Sequence, residues 1–136
     1  MRPCVVVVED EIDLLQVLHD MLDVEGINSI GVGRPELVLP VAQRNSPHVF
    51  LIDMMLPGAS GIEVARDLQE HGFAATPMIA MSASDTMVRV ARESGLFHVT
   101  VAKPFDFDAL FGHVRRLAAV DDDRQDPFSL RGSMAT

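Results

Sequence analysis

Tryptophan and tyrosine are absent from this 136-residue chain, and cysteine and lysine occur once each. A single cysteine, Cys4, rules out an internal disulfide framework and fits a reducing compartment, so a cytoplasmic location is expected. Set in an apolar stretch, Cys4 reads as core packing. No apolar run approaches the roughly 20 residues needed to span a bilayer. The N-terminus lacks the charged and apolar regions of a signal peptide, and no membrane contact is expected. The five histidines are scattered, with no His or Cys partner at zinc-ligand spacing. A formal net charge of −9 argues against direct nucleic-acid binding, which needs a basic face.

What the chain does have is an apolar fraction of 48%, enough for one real core. Five short apolar runs alternate with helical patterns. The clearest is Val49-Phe50-Leu51-Ile52-Asp53-Met54-Met55-Leu56-Pro57, in which four apolar residues run straight into an aspartate. Such a run reads as a strand buried on both faces, with Asp53 at its C-terminal end. Pro3 to Val8 is a second, ending in Glu9-Asp10-Glu11. Ile12, Leu15, Leu18 and Leu22 then recur at helical spacing up to Gly26. Ile27 to Val32 is a short strand, and Glu36 to Asn45 is weakly helical around Pro40. Ser60-Gly61-Ile62-Glu63 is a capping-box pattern for a helix reaching about His71-Gly72. Pro77 to Ser82 is a fourth strand, and Ser84-Asp85 starts the helix that ends at Ser94-Gly95. Val99 to Ala102 is the fifth strand, stopped by Lys103-Pro104, and Asp106 or Asp108 caps a last helix.

Strands and helices in alternation predict an α/β fold, a five-stranded parallel sheet with helices on both faces. A doubly wound, flavodoxin-like order 2-1-3-4-5 is the leading topology. One domain over residues 1–120 is expected, followed by a polar, flexible tail over 121–136. In that order the first and third strands are neighbours, so Glu9, Asp10 and Asp53 meet at one rim. Ser82 and Lys103 end the fourth and fifth strands on the same rim.

Three clustered carboxylates repel: at roughly 4 Å and an effective dielectric of about 20, each pair costs on the order of 4 kcal/mol. They persist by binding a proton or a cation, and an all-oxygen set without His or Cys suits Mg²⁺. One carboxylate can then act as a nucleophile toward phosphorus, with Mg²⁺, the Lys103 ammonium and the Ser82 hydroxyl each meeting a phosphoryl oxygen. Each residue alone has a plainer reading. Asp53 can close a turn, Glu9-Asp10-Glu11 can favour a helix N-terminus, and Ser82 can bond backbone. Lys103 can be a solvated surface lysine. Against that, the other ten basic residues are arginines. The sole lysine stands at a strand end, where a compact point charge differs from a planar fork.

Over about residues 3–119 the sequence resembles a bacterial two-component response-regulator receiver domain, of the single-domain, chemotaxis-regulator-like kind. The matching residues are Glu9-Asp10, the run from Asp53 to Gly61 (D-M-M-L-P-G-A-S-G), Ser82-Ala83 and Lys103-Pro104-Phe105. The resemblance implies that Asp53 is the phosphoacceptor, served by a histidine kinase or a histidine phosphotransfer protein. It implies Mg²⁺ held by Glu9, Asp10, Asp53 and the Met55 backbone carbonyl. Ser82 and Lys103 would bind the phosphoryl group, and Ala83, Ser84 and Met55 would flank it and tune its lifetime. No enzymatic turnover is implied beyond self-phosphorylation and slow autodephosphorylation.

One position departs from the family. Thr100 stands where receivers carry an aromatic three residues before the lysine, which leaves Phe97 or His98 as candidates to replace it. Output is expected through a downstream protein target, from a monomer or a phosphorylation-dependent dimer. The competing reading is a phosphorylation-independent docking module of the same fold. A flavin carrier is disfavoured because Glu9-Asp10-Glu11 would repel its phosphate. An aspartyl-phosphate hydrolase is disfavoured because Met55 stands where that class has its acid.

Overall fold

Residues 2–125 are described in a computed structural model. Five strands form one parallel sheet: β1 (Cys4–Val8), β2 (Asn28–Val32), β3 (Val49–Asp53), β4 (Met78–Ser82) and β5 (Val99–Ala102). Their order is β2-β1-β3-β4-β5, the doubly wound arrangement expected from the sequence. Five α-helices connect or follow them: α1 (Ile12–Val24), α2 (Val38–Asn45), α3 (Gly61–Leu68), α4 (Asp85–Ser94) and α5 (Phe107–Gln125). Among the described residues, no helix is long and apolar enough to cross a membrane.

Alternation along the strands builds two cores. Val5, Val7, Leu51, Ile79 and Met81 meet Leu18 and Leu22 of α1 and Leu110, Phe111 and Val114 of α5 on one face. Val6, Val8, Phe50, Ile52 and Met78 meet Val38 and Ala42 of α2 and Val64, Ala65 and Leu68 of α3 on the other. Every residue of β3 is buried, which explains why its apolar run is unbroken. At about 1.5–3 kcal/mol per buried large side chain, these two layers are the main force holding the sheet ends in register.

The local signals act where their chemistry allows. Pro40 sits inside the first turn of α2, where its missing N–H needs no partner. Ser60 and Glu63 form the complete capping box at the start of α3. Asp106, rather than Asp108, caps α5 by accepting from the N–H groups of Asp108 and Ala109. Pro57-Gly58 joins a two-residue antiparallel pair, Met55–Leu56 and Ala59–Ser60. Beyond Leu68 the chain runs on through Gln69–Phe73, where the helical path is kinked at His71 (φ −119°) and Gly72 (φ +106°). α5 continues past Val120 to Gln125, into the segment expected as tail, and the rest of that tail lies outside the described residues.

Replacing Ser60 by Ala removes one half of the capping box. A loss of about 1 kcal/mol is expected, read as a lower midpoint in urea unfolding with an unchanged slope.

Candidate functional site

Adjacent β1 and β3 bring the carboxylates together. Glu9 follows the last residue of β1, Asp53 ends β3, and the pairing of Val8 with Ile52 holds the two ends level. Glu9 is buried to 1% exposure and Asp53 to 6%, while Asp10 is exposed on the rim. One oxygen from each of the three lies within 4.8 Å of the others. This all-oxygen set, open to solvent through Asp10, fits a hard divalent cation.

Lys103 reaches this cluster from the end of β5, across β4. Its Nζ donates to Glu9 Oε1 at 2.6 Å and to Asp53 Oδ2 at 3.0 Å. The ammonium thus spans two buried carboxylates that face each other across the sheet. Burial alone would lower the Lys103 pKa, but the hydrogen bonds and charges of Glu9 and Asp53 outweigh it and hold the ammonium above its ordinary range. Glu9 is pushed up, chiefly by burial and further by the Asp53 charge, against the opposing bonds from Lys103 and the Glu11 N–H.

The plainer readings of these residues are partly satisfied as well. Asp53 Oδ1 accepts from the Met55 N–H at 2.9 Å, so the carboxylate also closes its own turn. Glu9 Oε2 accepts from the Glu11 N–H at 3.1 Å beside the start of α1. Ser82, at 1% exposure, accepts from the Ser84 N–H at 3.0 Å, and its own carbonyl accepts from the Lys103 N–H at 2.8 Å. Backbone bonding fixes each group in place and does not remove it from the rim. Ala83 is exposed, and Ser84 caps α4 by accepting from the Met87 N–H. Met55 is 59% exposed next to Asp53.

Thr100 lies in the middle of β5, level with Ala80 and partly buried. Of the two proposed substitutes for the missing aromatic, His98 is at the end of the sheet away from the rim. The His98 N–H donates to the Met78 carbonyl, and its Nδ1 accepts from the Met78 N–H at 3.3 Å. Met78 begins β4 and Ser82 ends it, so about four residues of strand, roughly 13 Å, separate His98 from the rim. Phe97 packs instead beside Met54, Ala80 and Ala91 under α4.

Gly61 is a site residue that sequence reasoning passed over. A Cβ there would lie 2.7 Å from the Asp53 carbonyl oxygen and 2.8 Å from Met54 Cα. Its N–H donates to the Met54 carbonyl at 2.9 Å, pinning the backbone that follows Asp53. The available signal was a glycine in the first helical position of α3, where it lowers helix propensity without any turn to justify it.

Two substitutions test this geometry. Gly61→Ala should cost about 2 kcal/mol by overpacking backbone that cannot move aside, and should weaken Mg²⁺ binding by displacing Asp53. Thermal melts and Mg²⁺ titration check both. Lys103→Met leaves two buried carboxylates uncompensated and should cost about 3 kcal/mol at neutral pH. Because the folded-state Glu9 binds protons above the ordinary carboxylate range, the deficit should shrink as pH falls from neutrality toward that range. Urea unfolding at several pH values reads this out, and a deficit that grew on acidification would contradict the assignment.

The residues that meet on this rim can be set beside known proteins. The model of the family described as response regulator receiver domain matches residues 5–115. The DNA-binding response regulator MtrA of Mycolicibacterium paratuberculosis is 30% identical over 131 residues, covering 96% of this chain and 58% of its own length. The response regulator ArlR of Staphylococcus saprophyticus is 31% identical over 119 residues, 83% of this chain and 51% of its own. The chain therefore spans a little over half the length of these relatives. Among solved structures, the receiver domain of Francisella response regulator 1452 has a TM-score of 0.78 at 27% identity, covering 87% of this chain and 98% of that one. The response regulator TrrA of Thermotoga maritima, solved in complex with Mg²⁺-BeF, has a TM-score of 0.76 at 26% identity, covering 85% and 98%. By sequence and by fold, this chain belongs to the response regulator receiver domain family of two-component systems.

Proposed function

We propose that Asp53 accepts a phosphoryl group from a phosphohistidine of a histidine kinase or phosphotransfer protein, and that the phosphorylated state is read by a downstream protein. The observation that carries this reading is the Lys103 ammonium held at 2.6 and 3.0 Å from Glu9 and Asp53 inside a three-carboxylate cluster. Glu9, Asp10, Asp53 and the Met55 carbonyl are the proposed ligands for Mg²⁺, which when bound neutralises charge between the carboxylates and the incoming phosphoryl group. Asp53 supplies the attacking oxygen while the bond from phosphorus to the donor nitrogen breaks. Lys103 then exchanges its bond to the Asp53 carboxylate for one to a phosphoryl oxygen, and Ser82 turns its hydroxyl toward another. Both groups are already at the rim, so the protein contributes positioning and charge.

Met55, Ala83 and Ser84 flank the path of any water that would hydrolyse the adduct, so they set its lifetime in this reading. The output partner is proposed to be a protein, since a net charge of −9 disfavours nucleic acid. The match to a relative named as a DNA-binding regulator covers 58% of that relative's length. The reading of a phosphorylation-independent docking module is supported by Thr100 in place of the usual aromatic.

Incubation with a phosphodonor and Mg²⁺ should add the mass of one phosphate to the intact protein. The adduct should survive acid, be lost in base, need Mg²⁺, and vanish in Asp53→Asn. Protein that binds Mg²⁺ yet takes no phosphate from either acetyl phosphate or a phosphohistidine protein would establish the docking module instead.

A further inference from the structure

Methionine is distributed unevenly between the interior and the rim. Met54, Met78 and Met81 are fully buried, and Met21 and Met87 are half-buried against the cores. Among the described residues, Met55 is the one exposed methionine, at 59%. It stands two residues after Asp53, and its N–H donates to Asp53 Oδ1 at 2.9 Å. Its sulfur is three bonds beyond its Cα, so in any rotamer the thioether lies within roughly 9 Å of that oxygen. The backbone beneath it is held from two sides. Met55 pairs with Ser60, whose hydroxyl caps α3, and the Gly61 N–H bonds the Met54 carbonyl. The side chain can therefore change chemically without unseating Asp53.

An exposed thioether is oxidised by peroxide to the sulfoxide, whereas burial protects the others. The sulfur lone pair bonds one peroxide oxygen as the O–O bond breaks. The second oxygen leaves as water with both protons, so sulfur loses two electrons and the peroxide gains them. Cys4, the single thiol, is a poorer target. It is half-buried, and burial raises its pKa away from the reactive thiolate. The product differs from methionine in the property that matters beside a phosphoryl group. A thioether covers its surroundings with carbon and holds water weakly, while a sulfoxide oxygen is a polar acceptor that holds it well.

We propose that Met55 is an oxidation site through which peroxide controls Asp53, its sulfoxide shortening the life of the phosphorylated state. This rests on Asp53 being the phosphoacceptor. The sulfoxide oxygen accepts a hydrogen bond from a water at the rim. That water's oxygen bonds phosphorus as the bond from phosphorus to the Asp53 oxygen breaks. The Asp53 carboxylate is regenerated, and both protons of the water leave on inorganic phosphate. Sulfoxide reductases return the thioether, so the change is reversible.

Two readouts test this. Peptide mapping by mass spectrometry after limited treatment with hydrogen peroxide should find Met55 oxidised ahead of Met21, Met54, Met78, Met81 and Met87. Untreated and oxidised protein are then labelled with a phosphodonor and Mg²⁺, freed of donor, and followed by intact mass as phosphate is lost. The oxidised protein should lose it about fivefold faster, the ratio for one ordinary hydrogen bond gained at the reacting water. A pair of sulfoxide reductases, one per epimer, should restore the slow rate. Met55→Leu keeps Cys4 and every other methionine, and its ratio of oxidised to untreated rates should be near one. Oxidation that reaches Met21 or Met87 first, an unchanged or slower decay once Met55 is oxidised, or equal acceleration in Met55→Leu overturns the proposal. If neither acetyl phosphate nor a phosphohistidine protein labels Asp53 in untreated protein, the acceptor reading itself has failed and the regulation falls with it.

Discussion

A single ammonium placed between two buried carboxylates governs the chemistry of this protein. Glu9 and Asp53 are driven to the same rim by burial of the strands that carry them, and their charges oppose that placement. Lys103 makes it tolerable at the cost of its own desolvation. The arrangement is balanced rather than saturated. Burial and the Asp53 charge raise the Glu9 pKa against the opposing bonds from Lys103 and the Glu11 N–H.

Rigidity around this triad has identifiable sources. The Met55 N–H and Lys103 occupy different oxygens of Asp53, so the carboxylate is clamped from two directions. Ser82 is tied into the backbone at both its hydroxyl and its carbonyl. Gly61 lets the start of α3 press against the peptide that follows Asp53. A site built on strand ends and closed by a capped helix keeps its shape without ligand, which lowers the reorganisation needed when charge arrives.

How such a site would report its state is set by what lies behind it. Met54, fully buried, packs with Ala80 of β4 and Ala91 of α4, and Ile62, Met87 and Phe97 surround them. The peptide that follows Asp53 therefore rests on flexible thioethers and one aromatic under α4. At Thr100 no aromatic is available. Met side chains repack with little cost, so these contacts can absorb a small shift of the backbone after Asp53.

Much of this was legible in the residues. Unbroken β-branched runs require two covered faces, which gave the parallel sheet and its order. An aspartate ending such a run and a lone lysine in an arginine-using chain marked the rim. Ser60-Gly61-Ile62-Glu63 announced its capping box, but not that Gly61 was needed for close approach, because that depends on where the Asp53 carbonyl comes to lie. His98 was near Lys103 along the chain yet bonds Met78 at the other end of β4, since strand β5 runs between them. Periodicity and residue type determined the elements, the sheet and the identity of the acidic and basic groups, because burial and local bonding act over a few residues. Only the tertiary structure decided the Lys103 bridge and the Gly61 contact. Each is made where chain segments remote in sequence meet, at distances that strand pairing and helix packing set together.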